Sequence, residues 1–127
     1  MSEGTVAVIG ASNDRRKFGN KAVRAYRQQG WTVYPVNPKE ETVEGLKAYP
    51  SIRDVPRPVD RVSVYLLPLL GLKILADIAA VAPQEVFFNP GSESPELLEQ
   101  AGALGLNAIV ACSIVDIGVT PSQFPSQ

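Results

Sequence analysis

Residues suited to holding a phosphorylated ligand follow the first apolar stretch of the sequence. The segment Gly10-Ala11-Ser12 comes directly after residues 5–9, whose β-branched and small apolar side chains predict a strand buried on both faces. Glycine lets a ligand approach the backbone closely, and a helix that begins after such a turn offers unpaired amides and a dipole that favours anions. The strand, turn and helix start therefore predict an anion site, with Gly10, Ala11 and Ser12 at its centre.

Three consecutive cations, Arg15, Arg16 and Lys17, come soon after this turn. Positive charges near the start of a helix oppose its dipole, so local helix stability does not explain them. They suit a phosphorylated ligand that lies over the turn. The alternative interpretation is a solvated loop with incidental charge.

Three further turns follow predicted strands. Asn37-Pro38-Lys39 ends the second strand, where a dinucleotide-binding fold meets the adenosine ribose. A neutral amide and a cation suit a ribose that carries a phosphate, as in coenzyme A (CoA) or NADP, and the alternative is an Asn-Pro turn with an exposed lysine. Leu67-Pro68 closes the third strand, and Asn89-Pro90-Gly91 closes the fourth.

Strands and helices alternate along the chain. Apolar runs predict strands at 5–9, 31–36, 61–67, 85–88 and 107–111. Helical spacing predicts a helix from Asn20, as its N-cap, to Gln29, and two more over 69–82 and 95–104. Ser51 is expected to cap a single helical turn, and Ser94 to cap the third helix. This alternation is typical of an α/β fold.

The predicted fold is a doubly wound parallel sheet of about five strands, a Rossmann-like domain over residues 1–119. Right-handed crossovers are expected to place the second and third strands on one side of the first, and the fourth and fifth on the other. The predicted turns then share the carboxyl ends of the strands, where such sheets bind ligands. The Pro-, Ser- and Gln-containing tail, 120–127, is expected to be loosely ordered.

Composition narrows the possible chemistry. The 127 residues carry 12 basic and 13 acidic side chains, so no global field favours nucleic acid or a membrane surface. No run is long and apolar enough to span a membrane, and the first residues do not resemble a signal peptide. We therefore expect the protein to be located in the cytoplasm. The absence of histidine excludes Ser-His-Asp, Cys-His and phosphohistidine chemistry within this sequence. Cys112, the single cysteine, is interpreted as a small core residue, and no metal site is predicted.

Several of these motifs occur together in a known family. The segments Val8-Ile9-Gly10-Ala11-Ser12, Val33-Tyr34-Pro35-Val36-Asn37-Pro38-Lys39 and Gly45-Leu46-Lys47-Ala48-Tyr49-Pro50-Ser51, the last preceding Pro58-Val59-Asp60, resemble small stand-alone CoA-binding proteins of bacteria and archaea. That family is similar to the CoA-binding domain of the succinyl-CoA synthetase alpha subunit and of ADP-forming acyl-CoA synthetases. The resemblance covers about residues 4–112.

The resemblance implies roles for the predicted turns. The first turn would hold the pyrophosphate or adenosine phosphate, the cations after it would supply charge, and Lys39 would meet the adenine–ribose end. Leu67 and Pro68 would pack near the adenine or the pantetheine, with the fourth turn across the crevice. The implied ligand-binding residues are Gly10, Ala11, Ser12, Arg15, Arg16, Lys17, Asn37, Pro38, Lys39, Leu67, Pro68, Asn89, Pro90 and Gly91.

The sequence is therefore interpreted as a protein that binds CoA or acyl-CoA without catalysis of its own. Ligase activity is not implied, because the synthetases use a phosphohistidine from a further domain. The alternatives are an NADP-binding, oxidoreductase-like protein and an interaction module on a Rossmann scaffold. The first turn lacks the full Gly-x-Gly-x-x-Gly pattern, which argues against the oxidoreductase. No nucleic-acid or membrane partner is expected. The sequence does not decide between a monomer and a homodimer.

Overall fold

Seven strands and four α-helices alternate in the computed structural model, which describes residues 4–127. The strands are β1 (Thr5–Ile9), β2 (Thr32–Val36), β3 (Thr42–Val43), β4 (Leu46–Lys47), β5 (Arg61–Val64), β6 (Glu85–Phe88) and β7 (Ala108–Val110). The α-helices are α1 (Phe18–Gln28), α2 (Pro68–Val81), α3 (Pro95–Ala103) and α4 (Ser113–Asp116). Single 3₁₀ turns cover Ile52–Asp54 and Pro121–Gln123.

Five strands form one parallel sheet in the order β2-β1-β5-β6-β7, and β3 and β4 form a separate antiparallel hairpin. In the sheet, Ile9 of β1 lies opposite Val36 of β2 and Val64 of β5. This arrangement confirms the predicted α/β, Rossmann-like fold and its five strands.

The predicted position of the third long strand is wrong, because β5 lies on the opposite side of β1 from β2. After β2 the chain runs through the hairpin and the first 3₁₀ turn, and then crosses to the far side of β1. Right-handed connections that reverse direction along a sheet must lie on its other face. The reversal places the switch point of this sheet at β1, beside the first predicted turn.

The two faces of the sheet carry different elements. Val6 and Val8 pack with α1 and α4, whereas Ala7 and Ile9 pack with α2, α3 and the first 3₁₀ turn. All four side chains are buried, as the alternation of a strand covered on both faces requires. The central strand therefore projects its carboxyl end into a turn that both layers surround.

Helix ends follow the predicted capping signals except at α1. Ser94 accepts a hydrogen bond from the Leu97 amide at 3.1 Å, and Ser51 accepts one from the Arg53 amide at 3.2 Å. The prediction of Asn20 as an N-cap is wrong, because α1 begins at Phe18 and Asn20 is buried inside its first turn. The Asn20 side-chain amide instead donates to the Ser12 carbonyl at 2.8 Å, which connects the helix to the turn after β1.

The end of the chain contacts α1. Where the sequence predicts a loosely ordered tail, the structure has the 3₁₀ turn Pro121–Gln123, and Phe124 is only 5% exposed. Arg24 of α1 donates to the Pro125 carbonyl at 2.9 Å. None of the helices within residues 4–127 has the length and apolar character needed to cross a membrane.

An arginine occupies the amino end of the sheet, away from the predicted turns. The Arg61 guanidinium lies 4.9 Å from the ring centre of Trp31 and 4.4 Å from that of Phe87. It also forms ion pairs with Glu85 and Asp116. These contacts compensate a buried charge and join β2, β5, β6 and α4 at that end.

Candidate ligand-binding cleft

Two glycines allow the backbone to pack closely around the turn after β1, Gly10 against the segment after β5 and Gly19 of α1 against Gly10. Gly10 has a φ of 88°, and a Cβ atom there would lie 2.5 Å from the Tyr65 carbonyl oxygen. A Cβ atom at Gly19 would lie 2.2 Å from the Gly10 carbonyl oxygen. Backbone therefore contacts backbone at both points, and the first turn of α1 lies directly against residues 10–12, the predicted anion site. The sequence reading missed this role of Gly19, because its local spacing shows only a helix residue.

Side-chain to backbone hydrogen bonds hold the segment after Gly10 in shape. The Ala11 carbonyl accepts from the Asn37 amide at 2.8 Å, and Ser12 Oγ accepts from the Asp14 amide at 3.0 Å. Asp14 Oδ1 in turn accepts from the Arg16 backbone amide at 3.0 Å. Hydrogen bonds within the protein therefore fix the shape of the turn, as an anion site formed by backbone amides requires.

The three predicted cations have different surroundings. Arg15 pairs with Glu44 at 2.9 Å, and Arg16 pairs with Asp14 at 2.8 Å. Hydrogen bonds from Arg16 lower the pKa of the Asp14 carboxyl. Lys17 is exposed and has no ion-pair partner within residues 4–127. Of the three, Lys17 alone is therefore available to an added anion without breaking an existing ion pair.

Glu44 connects the β3–β4 hairpin to the segment that follows β1. The hydrogen bond from Arg15 is the main reason that the pKa of Glu44 falls to about 2, and the Asn20 amide, 2.9 Å from its carboxylate, adds to the effect. The Glu44 amide donates to Asn13 Oδ1 at 3.2 Å. Its φ of 50° is in the left-handed region, so these bonds hold a backbone conformation that glutamate rarely adopts.

A cleft of about 480 Å³ lies beside this turn, at the carboxyl ends of β1 and β2. Its other walls are the first 3₁₀ turn and the first turns of α2, on the α2 face of the sheet. The lining is mostly apolar and includes two lysines. The lining residues are Ile9, Gly10, Val36, Asn37, Pro38, Lys39, Pro50, Ser51, Ile52, Leu66, Leu70, Lys73 and Ile74.

The Asn37 turn fixes the backbone at the first of these two lysines, Lys39. Asn37 donates to Ala11 of the neighbouring turn and accepts from the Lys39 backbone amide at 2.8 Å. Lys73 supplies the second from α2, and neither lysine has an ion-pair partner within the described part of the chain. The sequence reading missed Lys73. The available signal was a single lysine in an otherwise apolar stretch of helix.

Leu67 and Pro68 form the start of α2 but do not line the cleft. Leu67 is 71% exposed at the N-cap position, and Pro68 is the first helical residue. The preceding residue, Leu66, lines the cleft in their place. Leu67 and Pro68 therefore lie at the rim of the cleft.

Asn89 lies inside the protein, in contrast to the expectation of a residue across the crevice. Its amide nitrogen donates to Ser63 Oγ and to the Val64 carbonyl, both at 2.9 Å, and its oxygen accepts from the Ser113 amide at 2.9 Å. Ser113 Oγ also lies 3.3 Å from the Tyr65 hydroxyl, whose pKa is raised by burial. This buried network joins β5, β6 and α4.

Of the predicted residues, four meet in the cleft lining: Gly10, Asn37, Pro38 and Lys39. Ala11, Ser12 and the three cations lie in the adjoining turn, and Pro90 and Gly91 are exposed beyond β6. No three His, Cys, Asp or Glu residues within residues 4–127 are grouped as metal ligands would be. Cys112 is half-buried at the start of α4.

Comparison with known proteins gives consistent matches. A family model described as a CoA binding domain matches residues 4–118. The alpha subunit of ADP-forming acetate–CoA ligase II from Pyrococcus furiosus is 50% identical over 56 residues, which are 43% of this chain and 12% of that relative. The ADP-forming acetate–CoA ligase I of Archaeoglobus fulgidus is 46% identical over 55 residues. The aligned segments are thus about a tenth of the length of these ligases.

Two solved structures share the fold. A conserved hypothetical protein from Pyrococcus furiosus superimposes with a TM-score of 0.81 at 30% identity, over 88% of this chain and 97% of that one. The apo form of dinucleotide-forming acetyl-coenzyme A synthetase 1 from Ca. Korarchaeum cryptofilum gives a TM-score of 0.72 at 29% identity, over 83% of this chain and 25% of that one. The same fold thus occurs both in a small protein and in a domain of a large synthetase.

Proposed function

The chain belongs to the CoA-binding domain family, and from this premise we propose that it binds CoA or an acyl-CoA and performs no catalysis itself. One observation carries the proposal for this particular chain. An apolar cleft at the carboxyl ends of β1 and β2 is lined by two lysines, Lys39 and Lys73, that form no ion pair within residues 4–127, and it lies beside the turn at residues 10–12. An adenine ring and a ribose phosphate have the matching chemistry, because one is apolar on its faces and the other is an anion.

The adenosine half of CoA would occupy the cleft. Ile9, Val36 and Ile74 would cover the adenine faces, and Lys39 and Lys73 would contact the 3′-phosphate. The pyrophosphate would lie on the backbone amides of residues 10–12 and the start of α1, within reach of Lys17. Arg15 and Arg16 are already paired with carboxylates, so their contribution would require an exchange of partners.

The pantetheine arm would run along the rim of the sheet. Leu67 and Pro68 follow β5 there, and Pro90 and Gly91 follow β6. Asn89 would support this rim through its buried hydrogen bonds and make no ligand contact. In this proposal the strand ends that the sequence predicted as a binding surface bind different parts of one extended ligand.

A non-catalytic role is supported by the chemistry of the chain. The sequence contains no histidine. Burial raises the pKa of the Tyr65 hydroxyl, so this group stays protonated at neutral pH and is not a general base. Ser63 and Ser113 donate and accept within the buried network, with their Oγ atoms 2.7 Å apart. We therefore propose a protein that holds the coenzyme and does not transform it.

Calorimetric titration with CoA, dephospho-CoA, NADP and NAD tests the proposal. We expect CoA to bind about tenfold more tightly than dephospho-CoA, because the latter lacks the phosphate that the lysines contact. Lys39→Ala should remove most of this difference. Lys47→Ala is the matched control, because Lys47 is exposed on β4 and lies over the Tyr49 ring, outside the cleft lining.

Two outcomes would contradict the proposal. Equal affinities for CoA and dephospho-CoA in the wild-type protein would exclude the lysines as the phosphate site. Binding of NADP without binding of CoA would favour the oxidoreductase-like alternative, since its 2′-phosphate would then be the anion that the lysines select.

A further inference from the structure

The two outer strands of the parallel sheet differ in how their free edges are covered. On β2, Pro35 has no backbone N–H, its carbonyl accepts from the Tyr49 amide at 2.9 Å, and the Asn37 amide donates to the Tyr49 carbonyl at 2.9 Å. β7 pairs with β6 on one side, and no strand within residues 4–127 pairs with it on the other. Proline and covering segments commonly protect the edge of a sheet, so β7 is the less protected of the two edges.

The side chains of β7 are more exposed than their apolar types suggest. Ala108 and Ile109 are half-buried, and Val110 is 48% exposed. In each of the other four strands of this sheet, at least three residues are buried. Residues 101–115 contain no charged side chain. β7 and its flanking residues therefore lack the lysines that commonly keep a free strand from pairing with another chain.

The pairing with β6 determines which backbone groups of β7 point outward. The Val86 amide donates to the Asn107 carbonyl at 2.9 Å, and Val86 lies opposite Ala108. Alternate residues of a parallel strand direct both backbone groups to the same neighbour, so Asn107 and Ile109 face β6. Ala108 and Val110 therefore direct their N–H and C=O groups away from the sheet. No hydrogen bond within residues 4–127 involves these four groups.

The outward groups of β7 are complementary to those of an identical strand that runs in the opposite direction. In an antiparallel pair, residues that lie opposite each other alternately exchange two backbone hydrogen bonds and none. If Ile109 of one copy lies opposite Ile109 of another, Ala108 of each copy lies opposite Val110 of the other. Both of these pairs can then exchange two hydrogen bonds, which satisfies every outward group of both strands. This arrangement is two-fold symmetric, as interfaces between identical chains usually are.

We propose that two copies of this protein pair through β7 and form one sheet of ten strands, five from each copy. The lack of charge over residues 101–115 favours a second copy over a charged partner, because a charged side chain at this edge would lose hydration without gaining an opposite charge. Ala108 of one copy would cover Val110 of the other, and the two Ile109 side chains would meet on the opposite face of the sheet.

The pairing leaves both ligand clefts accessible. Each cleft lies at β1 and β2, and β5 and β6 separate these strands from β7. Because the paired strands are antiparallel, the carboxyl ends of the strands in the two copies point in opposite directions. Each copy would therefore bind its ligand independently, and the dimer forms without CoA.

Sedimentation velocity over a series of protein concentrations tests the proposal. Three strand residues from each copy form a small interface, so we expect a monomer–dimer equilibrium with a dissociation constant of roughly 10–100 µM. A protein that remains monomeric at all concentrations up to the millimolar range would overturn the proposal.

A variant locates the interface on β7. Val110→Lys should abolish the dimer, because it places two cations in the interface and introduces a residue type that protects strand edges. Thr32→Lys is the matched control, because Thr32 is an exposed β-branched residue on β2, the other outer strand. Both positions are on the surface, so both variants should fold. A dimer that persists in Val110→Lys, or that both variants dissociate equally, would overturn the assignment to β7.

Amide hydrogen exchange, measured by NMR at low and high protein concentration, tests the register. Exchange at Ala108 and Val110 should slow as the dimer forms, because their amides become hydrogen-bonded only there. The Ile109 amide already faces β6, so its exchange should change much less and provides an internal reference. Unchanged exchange at both Ala108 and Val110 in the dimeric protein would place the interface elsewhere and overturn the proposal.

Discussion

Two Asn-Pro turns follow strands of the same sheet and have different surroundings. Asn37, after β2, uses its side chain to shape a turn whose lysine lines the cleft. Asn89, after β6, is 2% exposed and bonds only to groups inside the protein. The same dipeptide thus shapes an open surface in one place and joins buried elements in the other.

The position of each strand in the sheet explains the difference. β2 is the last strand of the parallel sheet, Tyr49 pairs with its carboxyl end through two backbone hydrogen bonds of 2.9 Å, and the turn that follows lines the cleft. β6 has β5 and β7 as neighbours, and α4 covers its end, so a polar side chain there must find partners within the protein. The surroundings of each turn, and not the Asn-Pro dipeptide itself, therefore decide whether the asparagine faces a cleft or the interior.

The largest effect that this comparison predicts is on stability, at Asn89. Asn89→Ala leaves the Ser113 backbone amide without its partner in a buried site, and it removes one of the hydrogen bonds of the Ser63 hydroxyl and of the Val64 carbonyl. We expect the free energy of unfolding to fall by roughly 2–4 kcal/mol, with the CoA affinity of the folded protein retained. Urea denaturation gives the first quantity and calorimetry the second. A loss smaller than that of Asn37→Ala would contradict the comparison.

The second prediction concerns ligand affinity on the open side. Lys73→Ala removes one of the two cationic side chains that line the cleft, and we expect CoA to bind about threefold more weakly with little change in stability. Dephospho-CoA binding should change much less, because the lost contact is to the 3′-phosphate. Calorimetric titration of Lys47→Ala in parallel controls for the loss of charge. An equal loss for both ligands would move Lys73 away from the phosphate.

The third prediction places Asn37 between these two cases. Asn37→Ala removes the bonds to the Ala11 carbonyl and the Lys39 amide, both at 2.8 Å. We expect a loss of about 1 kcal/mol in stability, smaller than at Asn89, together with CoA binding that is several-fold weaker. Asn107→Ala is the control, since Asn107 is exposed and donates only a long bond of 3.5 Å to Gln84. Unchanged affinity in Asn37→Ala would show that the Lys39 turn does not need this side chain.

The smallest predicted effect is a dependence of stability on pH that arises from Glu44, which connects the β3–β4 hairpin to the segment after β1. The pKa of this carboxyl falls from 4.5 to about 2 on folding, so its charged form stabilises the protein above pH 4.5, and this contribution is lost as pH falls toward 2. We expect Glu44→Gln to lower the melting temperature at pH 7, by the equivalent of about 0.5–1 kcal/mol because Arg15 is partly exposed. The difference from wild type should shrink below pH 4.

Melting curves of Glu99→Gln over the same pH range provide the reference for this last measurement, because Glu99 is exposed on α3. A wild-type advantage that stays constant from pH 7 to pH 3 would show that the Glu44 charge is not its source.

Local sequence was sufficient for the five strands of the parallel sheet and for α2 and α3, but it predicted neither the β3–β4 hairpin nor α4. The uncharged run in β1 predicted burial on both faces, and Ser51 and Ser94 marked helix starts correctly. The order of the strands depends on which face each connection covers, and no local pattern encodes that choice. The placement of β5 was accordingly wrong, as was the assignment of Asn20, whose partner Glu44 is 24 residues away.

The residues of the cleft could likewise be predicted from local sequence only in part. Gly10, Asn37, Pro38 and Lys39 follow from their position at the carboxyl ends of two strands. Lys73 enters the cleft through the rotation of α2 about its own axis, which depends on packing against the sheet. The role of Gly19 depends on a carbonyl oxygen nine positions earlier in the chain, and Arg15 meets a carboxylate 29 residues later. Such contacts are properties of the folded chain.

The position of the single tryptophan has a practical consequence for spectroscopy. Trp31 lies at the amino end of β2 against Arg61 and the Tyr26 ring, 5.0 Å between ring centres, whereas the cleft begins at the carboxyl end of the same strand. A strand of this length separates the two ends by roughly 16 Å. The fluorescence emission of Trp31 should therefore change when the protein unfolds and stay nearly constant when a ligand fills the cleft. Unfolding can thus be followed by tryptophan fluorescence at any ligand concentration.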